Sequence, residues 1–557
     1  MYNMTTYNTD LDIAGSHNGD KCGYVSLSND GLVIAVGSTG HSEIYTLAGQ
    51  IRVFEFIGGE WSQKGSDIEG EFVSNDVGRK ISLSGDGNVL ASGEPSHDSD
   101  TGRVRMFEYD DGVWEQMGSD IVGDTANGAC GFSVAVGDDG QRVVMGAPYI
   151  TSSTGRTRVF EFSGGSWSQL GSDLDGINTA EQSGTSVSMS GDGSLIAFGA
   201  PYHSGPNTHS GIVRVYEYSG SSWSQYGDSM YGQSSPGPYR RYGHAVSLSN
   251  DGTRIIVSGI SWKGTAEVFE YSSGTDTWDQ LGSIFYGSGN NDQLGYSVDI
   301  NSDGSVIIIG VPLNDDTGTN HGYSKVYEYS GSSWDQLGSN LAGDADHNQS
   351  GTSVSINTSA TIVASGDPFR NYIFGNSIGR VRAFQLIGGE WNQNIVADIC
   401  FSEGTEIMTD KHGLIQVEEL DMQKHSINNS WIKGIFKSKM IDDKIVCIEK
   451  DSYRLGVPTK DTFFSKDHKI ITPCGNFEKA KYLLKHNVKG VSSVSSKGVT
   501  MYNILLRNHR KLILTNGIEA ESLHPSNNLS KSVLSSQNVF GPLPPPPHPQ
   551  VVEEYSS

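Results

Sequence analysis

A short signature, tryptophan followed two residues later by glutamine, occurs seven times in this 557-residue chain and constrains its fold more than any other feature. Successive tryptophans are 53, 53, 56, 55, 56 and 57 residues apart. A regular period of this length indicates one supersecondary unit repeated in tandem. The tryptophans are Trp61, Trp114, Trp167, Trp223, Trp278, Trp334 and Trp391.

Each repeat has the pattern of four short β-strands. In the first repeat, an alternating run at 24–28 precedes a turn at 29–31, a run of small residues, the segment 51–56 and then Trp61. Four strands per repeat of roughly 55 residues is the content of one propeller blade. Seventy glycines and an apolar fraction of 36% also favour a turn-rich β protein. The sequence predicts an all-β chain with a seven-bladed β-propeller over residues 1–396.

An Asp-Gly pair stands between the first two strands of most repeats. It predicts a tight hairpin, because glycine tolerates the positive φ that such turns need. The seventh repeat departs from this pattern at 357–360. Near the start of the chain, 11–15 resembles the end of a repeat, as in 172–176, so we expect it to complete the last blade. The pairs begin at Asp86, Asp139, Asp192, Asp251 and Asp303.

A glutamate also recurs at one place in six repeats. Paired carboxylates can carry out acid–base chemistry, but a residue present in nearly every blade is better explained by a structural contact. We therefore predict that it makes a repeated hydrogen bond between blades. The residues are Glu55, Glu108, Glu161, Glu217, Glu270 and Glu328, with Gln385 in the seventh repeat.

The segments 131–136 and 146–148, the latter repeated at 199–201, resemble the FG-GAP repeat of integrin-type propellers over roughly residues 11–395. The calcium loops of that family need about three acidic or amide oxygens, because a hard cation takes six to eight oxygen ligands. The loops here carry one acid, as at 84–87. We therefore predict no metal and no other cofactor.

The net charge of −25 is uneven, since residues 1–399 carry −28 and residues 400–557 carry +3. Phosphate backbones and anionic lipid would repel the acidic part, so we predict no nucleic-acid partner. No apolar run approaches the ~18 residues of a membrane span, and the first residues lack the pattern of a signal peptide. We expect a soluble protein of undetermined compartment. Five cysteines without a CxxC pair indicate neither a disulfide framework nor a zinc site.

After the last repeat the glycine-rich pattern ends, lysine becomes frequent and short alternating strands continue. Chemistry-bearing residues follow in a fixed order: Cys400, Ser465 with His468 three residues later, an apolar run at 502–506, and a histidine in 522–525. This order resembles the blocks of the Hint domain, the self-processing module shared by inteins and hedgehog proteins. It is also similar to the Hint proteins of large protist and algal viruses.

The resemblance implies three domains: the propeller at 1–396, a small Hint-type β domain at 397–527 and a disordered proline-rich tail at 528–557. The tail contains four consecutive prolines, which favour an extended polyproline II conformation. Such a tail can serve as a solvated spacer or engage an SH3 or WW domain.

The resemblance also implies that Cys400 Sγ attacks the carbonyl of Ile399 and converts the peptide bond into a thioester. Such an attack needs a thiolate, hydrogen-bond donors for the oxyanion and an acid for the departing nitrogen. Ser465 would orient the scissile peptide or donate to its oxyanion, and His468 would protonate the nitrogen. Serine stands where the family has threonine, and the lost methyl group leaves its side-chain torsion less restricted.

Inteins end in His-Asn, and the asparagine cyclises to release the downstream segment, whereas Pro525 follows His524 in this chain. The layout is therefore closer to hedgehog-like cleavage on one side. Water or a small added nucleophile would resolve the thioester, and His524 is a candidate base for that step.

Cleavage would release, or attach elsewhere, a propeller that binds an unknown protein or glycan. The alternative is a binding or structural propeller joined to a catalytically inactive Hint domain. A third class, in which the propeller itself is an enzyme, lacks support because no nucleophile–base pair or metal cluster stands out from the repeats.

Overall fold

The computed structural model describes residues 12–393 except 58–59, 206–208, 233–240, 317 and 371–376, and beyond them the backbone of strands between residues 401 and 521. The chain divides into two compact units, residues 1–395 and 396–557. The structure is all-β, as predicted. The helices among the described residues are single turns, His97–Asp100 and Ile150–Ser153.

The first unit is a seven-bladed β-propeller, as the repeat predicts. Each blade is an antiparallel sheet whose first, second and third strands follow one another outward from a central channel. The outer strand of a blade consists of two pieces. In blade 1, Gln63 of the first piece lies opposite Phe54 near the end of the third strand, and Ile68 of the second piece lies opposite Ile51 near its beginning.

The strand bounds follow in order from blade 1 to blade 7. The first strands are Cys22–Leu27, Lys80–Leu83, Ser133–Val136, Ser186–Met189, Tyr242–Leu248, Val298–Ile300 and Ser353–Ile356. The second strands are Val33–Ser38, Val89–Glu94, Arg142–Ala147, Leu195–Ala200, Arg254–Gly259, Val306–Val311 and Ile362–Asp367. The third strands are Gln50–Ile57, Arg103–Asp110, Arg156–Ser163, Ile212–Tyr218, Thr265–Ser272, Tyr323–Tyr329 and Arg380–Ile387.

The two pieces of the outer strands follow the same blade order. The first pieces are Glu60–Gln63, Val113–Gln116, Ser166–Gln169, Trp223–Gln225, Thr277–Gln280, Trp334–Gln336 and Glu390–Asn392. The second pieces in blades 1 to 6 are Ile68–Glu69, Ile121–Val122, Leu174–Asp175, Met230–Tyr231, Phe285–Tyr286 and Leu341–Ala342.

The second outer piece of blade 7 comes from the other end of the propeller. Asp12–Ala14 pairs with Arg380–Ile387, and Ile13 lies opposite Val381. Ile13 is buried, and its carbonyl accepts a hydrogen bond from Cys22 Sγ at 3.4 Å. The predicted closing strand is confirmed, although it contributes only half of an outer strand.

The Asp-Gly hairpins are also confirmed. Gly87 has a φ of +67°, and Asp86 Oδ1 accepts hydrogen bonds from Ser84 Oγ at 2.8 Å and from the amide of Asn88 at 2.9 Å. These acids are therefore turn residues. In blade 7, Ala360 takes the place of the glycine with a φ of +53°.

The core lies between neighbouring blades. The second strand of a blade is covered on both faces, so Val89–Glu94 is buried at every position. Val104 and Met106 of blade 2 pack in one cluster with Val143 and Met145 of blade 3. Because burial of such a side chain contributes about 1.5–3 kcal/mol, each blade depends on its neighbours for much of its stability.

The tryptophan signature joins neighbouring blades. Trp167 Nε1 donates to the carbonyl of Met117 in the preceding blade at 2.7 Å, and Gln169 Nε2 donates to the carbonyl of Gly171 at 3.3 Å. A Cβ at Gly171 would lie 2.6 Å from Cδ1 of Trp223, so this glycine makes room for the tryptophan of the next blade. Equivalent tryptophan–carbonyl bonds are made by Trp114, Trp223, Trp278, Trp334 and Trp391.

The predicted hydrogen bond between blades is wrong for two of the recurring glutamates. Glu161 lies opposite Arg142 within its own blade and accepts a hydrogen bond from Arg142 Nε at 2.9 Å. Glu270 and Arg254 form the same pair in blade 5, also at 2.9 Å. The reason is the strand register, which makes glutamate and arginine direct cross-strand neighbours. The arginine makes the contact to the next blade, as Arg142 Nη1 donates to the carbonyl of Gly193 at 3.2 Å.

The second unit contains two antiparallel sheets of short strands. The seven-stranded sheet has the spatial order Ser426–Ile427, Ser430–Lys439, Thr500–Leu506, Phe401–Ser402, Thr462–Phe464, Lys444–Ile448 and Val491–Ser495. The six-stranded sheet has the order Gly413–Gln416, Glu406–Thr409, Leu512–Thr515, Ile518–Glu521, Lys469–Ile471 and Phe477–Lys479.

Candidate functional site

The four residues that the sequence predicts to be catalytic, Cys400, Ser465, His468 and His524, lie outside the described residues. The strands next to them in sequence are described. Phe401–Ser402 directly follows Cys400, and Thr462–Phe464 directly precedes Ser465. The pairing of these strands is therefore the structural information that bears on the predicted site.

Phe401 lies between two antiparallel partners in the seven-stranded sheet. It is opposite Phe464 on one side and Tyr502 on the other, and Ser402 is opposite Met501. Phe401 and Phe464 are 63 residues apart in sequence, so their pairing is a long-range contact. In the six-stranded sheet, Ile470 lies opposite Ala520.

The central channel of the propeller is a second candidate site. It is a cavity of about 280 Å³ lined by the first strands of all seven blades. At one level of the channel each blade contributes one small or polar residue. These residues are Ser26, Ser82, Ala135, Ser188, Ser247, Asp299 and Ser355.

These side chains hydrogen-bond from blade to blade. The Ser26 hydroxyl accepts from the amide of Leu83 at 3.0 Å, and the Ser188 hydroxyl accepts from the amide of Leu248 at 2.9 Å. Asp299 accepts from the Ser247 hydroxyl at 2.7 Å, and burial raises the pKa of its carboxyl group. The described lining residues include no histidine, cysteine, lysine or arginine. The geometry therefore explains how the ring holds together and offers no nucleophile–base pair.

A third polar centre lies in blade 1 around His41, which is 1% exposed. Its Nδ1 is 3.2 Å from Asp20 Oδ1, and its Nε2 is 3.5 Å from Glu43 Oε2 and 3.9 Å from Glu69 Oε2. Gln50 Nε2 contacts His41 Nε2 at 3.3 Å and Glu69 Oε1 at 2.7 Å. Burial raises the pKa of Glu69, against the hydrogen bond from Gln50 and the attraction of His41. One imidazole nitrogen and two carboxylates therefore converge close enough to hold a metal ion.

Sequence reasoning missed this centre because its members are scattered through the first repeat. Asp20 and His41 are 21 residues apart and belong to no motif. One difference between the repeats does point to this centre. Gln50 stands where three other repeats have Arg103, Arg156 and Arg380.

Comparison with known proteins places few constraints on function. No protein-family model matches the chain, and no curated protein matches it. Among solved structures, a chain of hydrazine synthase from Kuenenia stuttgartiensis is similar with a TM-score of 0.45 and 11% sequence identity. The match covers 69% of this chain and 99% of that chain. A likeness this low says nothing about what this chain binds or catalyses. None of the helices among the described residues has the length and apolar character needed to cross a membrane.

Proposed function

We propose that the unit following the propeller is a Hint-type self-processing domain that cleaves its own chain between Ile399 and Cys400. The proposal combines the ordered residues Cys400, Ser465, His468 and His524 with one structural observation. That observation is the antiparallel pairing of Phe401 with Phe464.

The pairing supports the proposal because each of the two paired positions is next in sequence to a proposed residue. Cys400 is bonded to Phe401, and Ser465 is bonded to Phe464. Phe401 and Phe464, which are 63 residues apart in sequence, are direct neighbours in one sheet, and each is bonded to one of the proposed residues.

In the proposed reaction, the Cys400 thiolate attacks the carbonyl carbon of Ile399. The tetrahedral oxyanion is stabilised by the hydroxyl of Ser465 or by backbone amides. As the intermediate collapses, the carbon–nitrogen bond breaks and the His468 imidazolium gives its proton to the departing nitrogen of Cys400. The products of this step are a thioester at Ile399 and a free amine at Cys400.

The second step separates the two units. Water, or a small added nucleophile, attacks the thioester carbonyl, and His524 accepts the proton of that nucleophile. The carbon–sulfur bond breaks, the Cys400 thiol is regained, and the Ile399 carbonyl becomes a carboxylate or an adduct. The acidic propeller is then free to meet its protein or glycan partner.

The test is to purify the full chain and treat it with hydroxylamine, which attacks thioesters. We expect fragments 1–399 and 400–557, identified by mass spectrometry, and no fragments from Cys400→Ala. Cys447→Ala is the matched control, since it removes another cysteine of the same unit and should cleave like the wild type.

Rates from the same assay test the other roles. His468→Ala should slow the appearance of fragments about 100-fold or more, because loss of a general acid typically costs about 10²–10⁴ in rate. Ser465→Thr restores the residue of the family and should cleave at least as fast as the wild type. A wild-type chain that remains intact in hydroxylamine would contradict the proposal and favour the alternative, a binding propeller with an inactive appended domain.

A further inference from the structure

In blade 2 a buried arginine neutralises a group of carboxylates. Arg103, the first residue of the third strand, contacts Glu94 at 2.8 Å, Glu71 at 2.7 Å and Asp120 at 2.6 Å. Glu94 is fully buried. A buried carboxylate without a cation is strongly unfavourable, so this arginine explains how the acidic group is tolerated.

An arginine at the same position contacts carboxylates in two other blades. Arg156 of blade 3 contacts Asp124 at 3.0 Å and both Asp173 and Asp175 at 2.6 Å. Arg380 of blade 7 contacts both Asp344 and Asp367 at 2.8 Å. The first position of the third strand therefore supplies a cation in three blades.

Blade 1 has the acids without the arginine. Gln50 occupies the position of Arg103, and its Nε2 contacts Asp67 at 2.9 Å and Glu69 at 2.7 Å. In the part of the chain that the structure describes, the ion pairs of Glu43 and Glu69 are made with His41 and none with a lysine or arginine. The nearby Arg52 instead donates to the carbonyl of Ala14 at 2.6 Å.

The amide of Gln50 gives a second and independent sign of a missing ligand. Gln50 is 1% exposed, and its Oε1 is buried without a hydrogen-bond partner among the residues that the structure describes. Its Nε2 lies within 3.3 Å of His41 Nε2, so the amide nitrogen faces the cluster, and a 180° rotation of the amide would place Oε1 there instead. A buried amide oxygen without a partner costs about 1–3 kcal/mol, which a bound cation would offset.

His41 is oriented as a metal ligand would be. Asp20, which is also 1% exposed, accepts a hydrogen bond from Nδ1 of His41. This contact directs the other ring nitrogen, Nε2, toward Glu43 and Glu69. Metal-bound histidines typically have a carboxylate on the second ring nitrogen, which fixes the tautomer and the ring orientation. Glu43 is 66% exposed, so one side of the cluster is open to solvent and gives an ion a path of entry.

We propose that blade 1 binds one divalent transition-metal ion in place of the arginine that neutralises the acids of blades 2, 3 and 7. His41 Nε2, Glu43 and Glu69 are the ligands, and Asp20 is a positioning residue. Gln50 Oε1 becomes a fourth ligand when the amide turns over and withdraws its Nε2 from His41. A set of one imidazole and several oxygens matches zinc or manganese, whereas calcium prefers oxygen ligands alone.

The experiment uses the untagged full chain, stripped of metal and titrated with Zn²⁺ by isothermal titration calorimetry. His41→Gln should bind one equivalent of zinc fewer than the wild type. Asp20→Asn should lower the affinity for that zinc ion about 10–100-fold. Counting the difference between variants separates this site from any zinc bound elsewhere in the chain.

Gln50→Arg is the decisive variant, because it gives blade 1 the cation that Arg103 gives blade 2. It should stay folded by circular dichroism and lose one zinc equivalent, together with the zinc-dependent rise in its unfolding temperature. The matched control His203→Gln should keep the full zinc count, because its partner Glu181 already has Arg214 at 3.1 Å. Equal zinc counts in the wild type, His41→Gln and Gln50→Arg would overturn the proposal.

Discussion

Six of the joints between blades connect consecutive stretches of chain, whereas the joint between blades 7 and 1 connects the two ends of the propeller. At the six regular joints a tryptophan donates to a carbonyl of the preceding blade, as Trp114 does to Lys64 at 2.7 Å. At the closing joint Trp61 Nε1 is buried without a partner among the described residues, and the corresponding carbonyl belongs to residue 394, outside them. The three residues Asp12–Ala14 instead complete blade 7. Repetition therefore makes six joints alike and leaves the seventh dependent on a short separate strand.

The largest effect is expected from removing that strand. Deletion of residues 1–14 removes the pairing with Arg380–Ile387 and the burial of Ile13. We expect the free energy of unfolding to fall by about 2–4 kcal/mol, measured by urea denaturation of the full chain. The exposed edge of the third strand should also promote self-association, visible by gel filtration.

A peptide covering residues 9–16, added in excess to the truncated chain, should recover part of the lost stability because it can occupy the same edge. A truncated chain with the urea midpoint of the wild type would show that the closing joint does not depend on this strand.

A smaller effect is expected from the tryptophan bonds, and it should differ between the two kinds of joint. Trp167→Phe leaves the carbonyl of Met117 without its donor and should cost about 1–2 kcal/mol. Trp61→Phe, which removes no hydrogen bond among the described residues, should cost less than half as much. Equal losses in urea denaturation would show that Trp61 is held like the other six tryptophans.

The smallest effect is expected at the one hairpin that breaks the Asp-Gly rule. Ala360 adopts a φ of +53°, a region that costs an ordinary residue about 1–2 kcal/mol. Ala360→Gly should therefore stabilise the chain by about 0.5 kcal/mol after the greater flexibility of the unfolded glycine is included. Gly193→Ala is the converse control, because its Cβ would lie 2.8 Å from Arg142 Cδ at a φ of +68°. A destabilised Ala360→Gly variant would mean that the methyl group packs better than the backbone strain suggests.

The features that the sequence predicted correctly are local and repeated. The blades, the Asp-Gly turns and the closing strand depend on patterns of a few residues that recur along the chain, as Gly87 and Ile13 illustrate. Such patterns report backbone preferences and burial, which the sequence carries directly.

The features that the sequence did not predict depend on which repeated positions face each other. Glu161 was expected to contact the next blade, but the strand register pairs it with Arg142 of its own. The cluster around His41 was missed because it depends on the difference between Gln50 and the arginines of other blades. The roles of Cys400, Ser465, His468 and His524 rest on resemblance and remain predictions.

The closing strand also determines where the ends of a released propeller would lie. Asp12–Ala14 lies opposite 380–382, and Glu390–Asn392 lies opposite 385–387, so both ends share one edge of a single strand. In blade 1 the two corresponding pieces of the outer strand, Glu60–Gln63 and Ile68–Glu69, are joined by four residues, 64–67. A linker of about that length should therefore allow circular permutation, with new termini opened at any exposed hairpin and every blade retained.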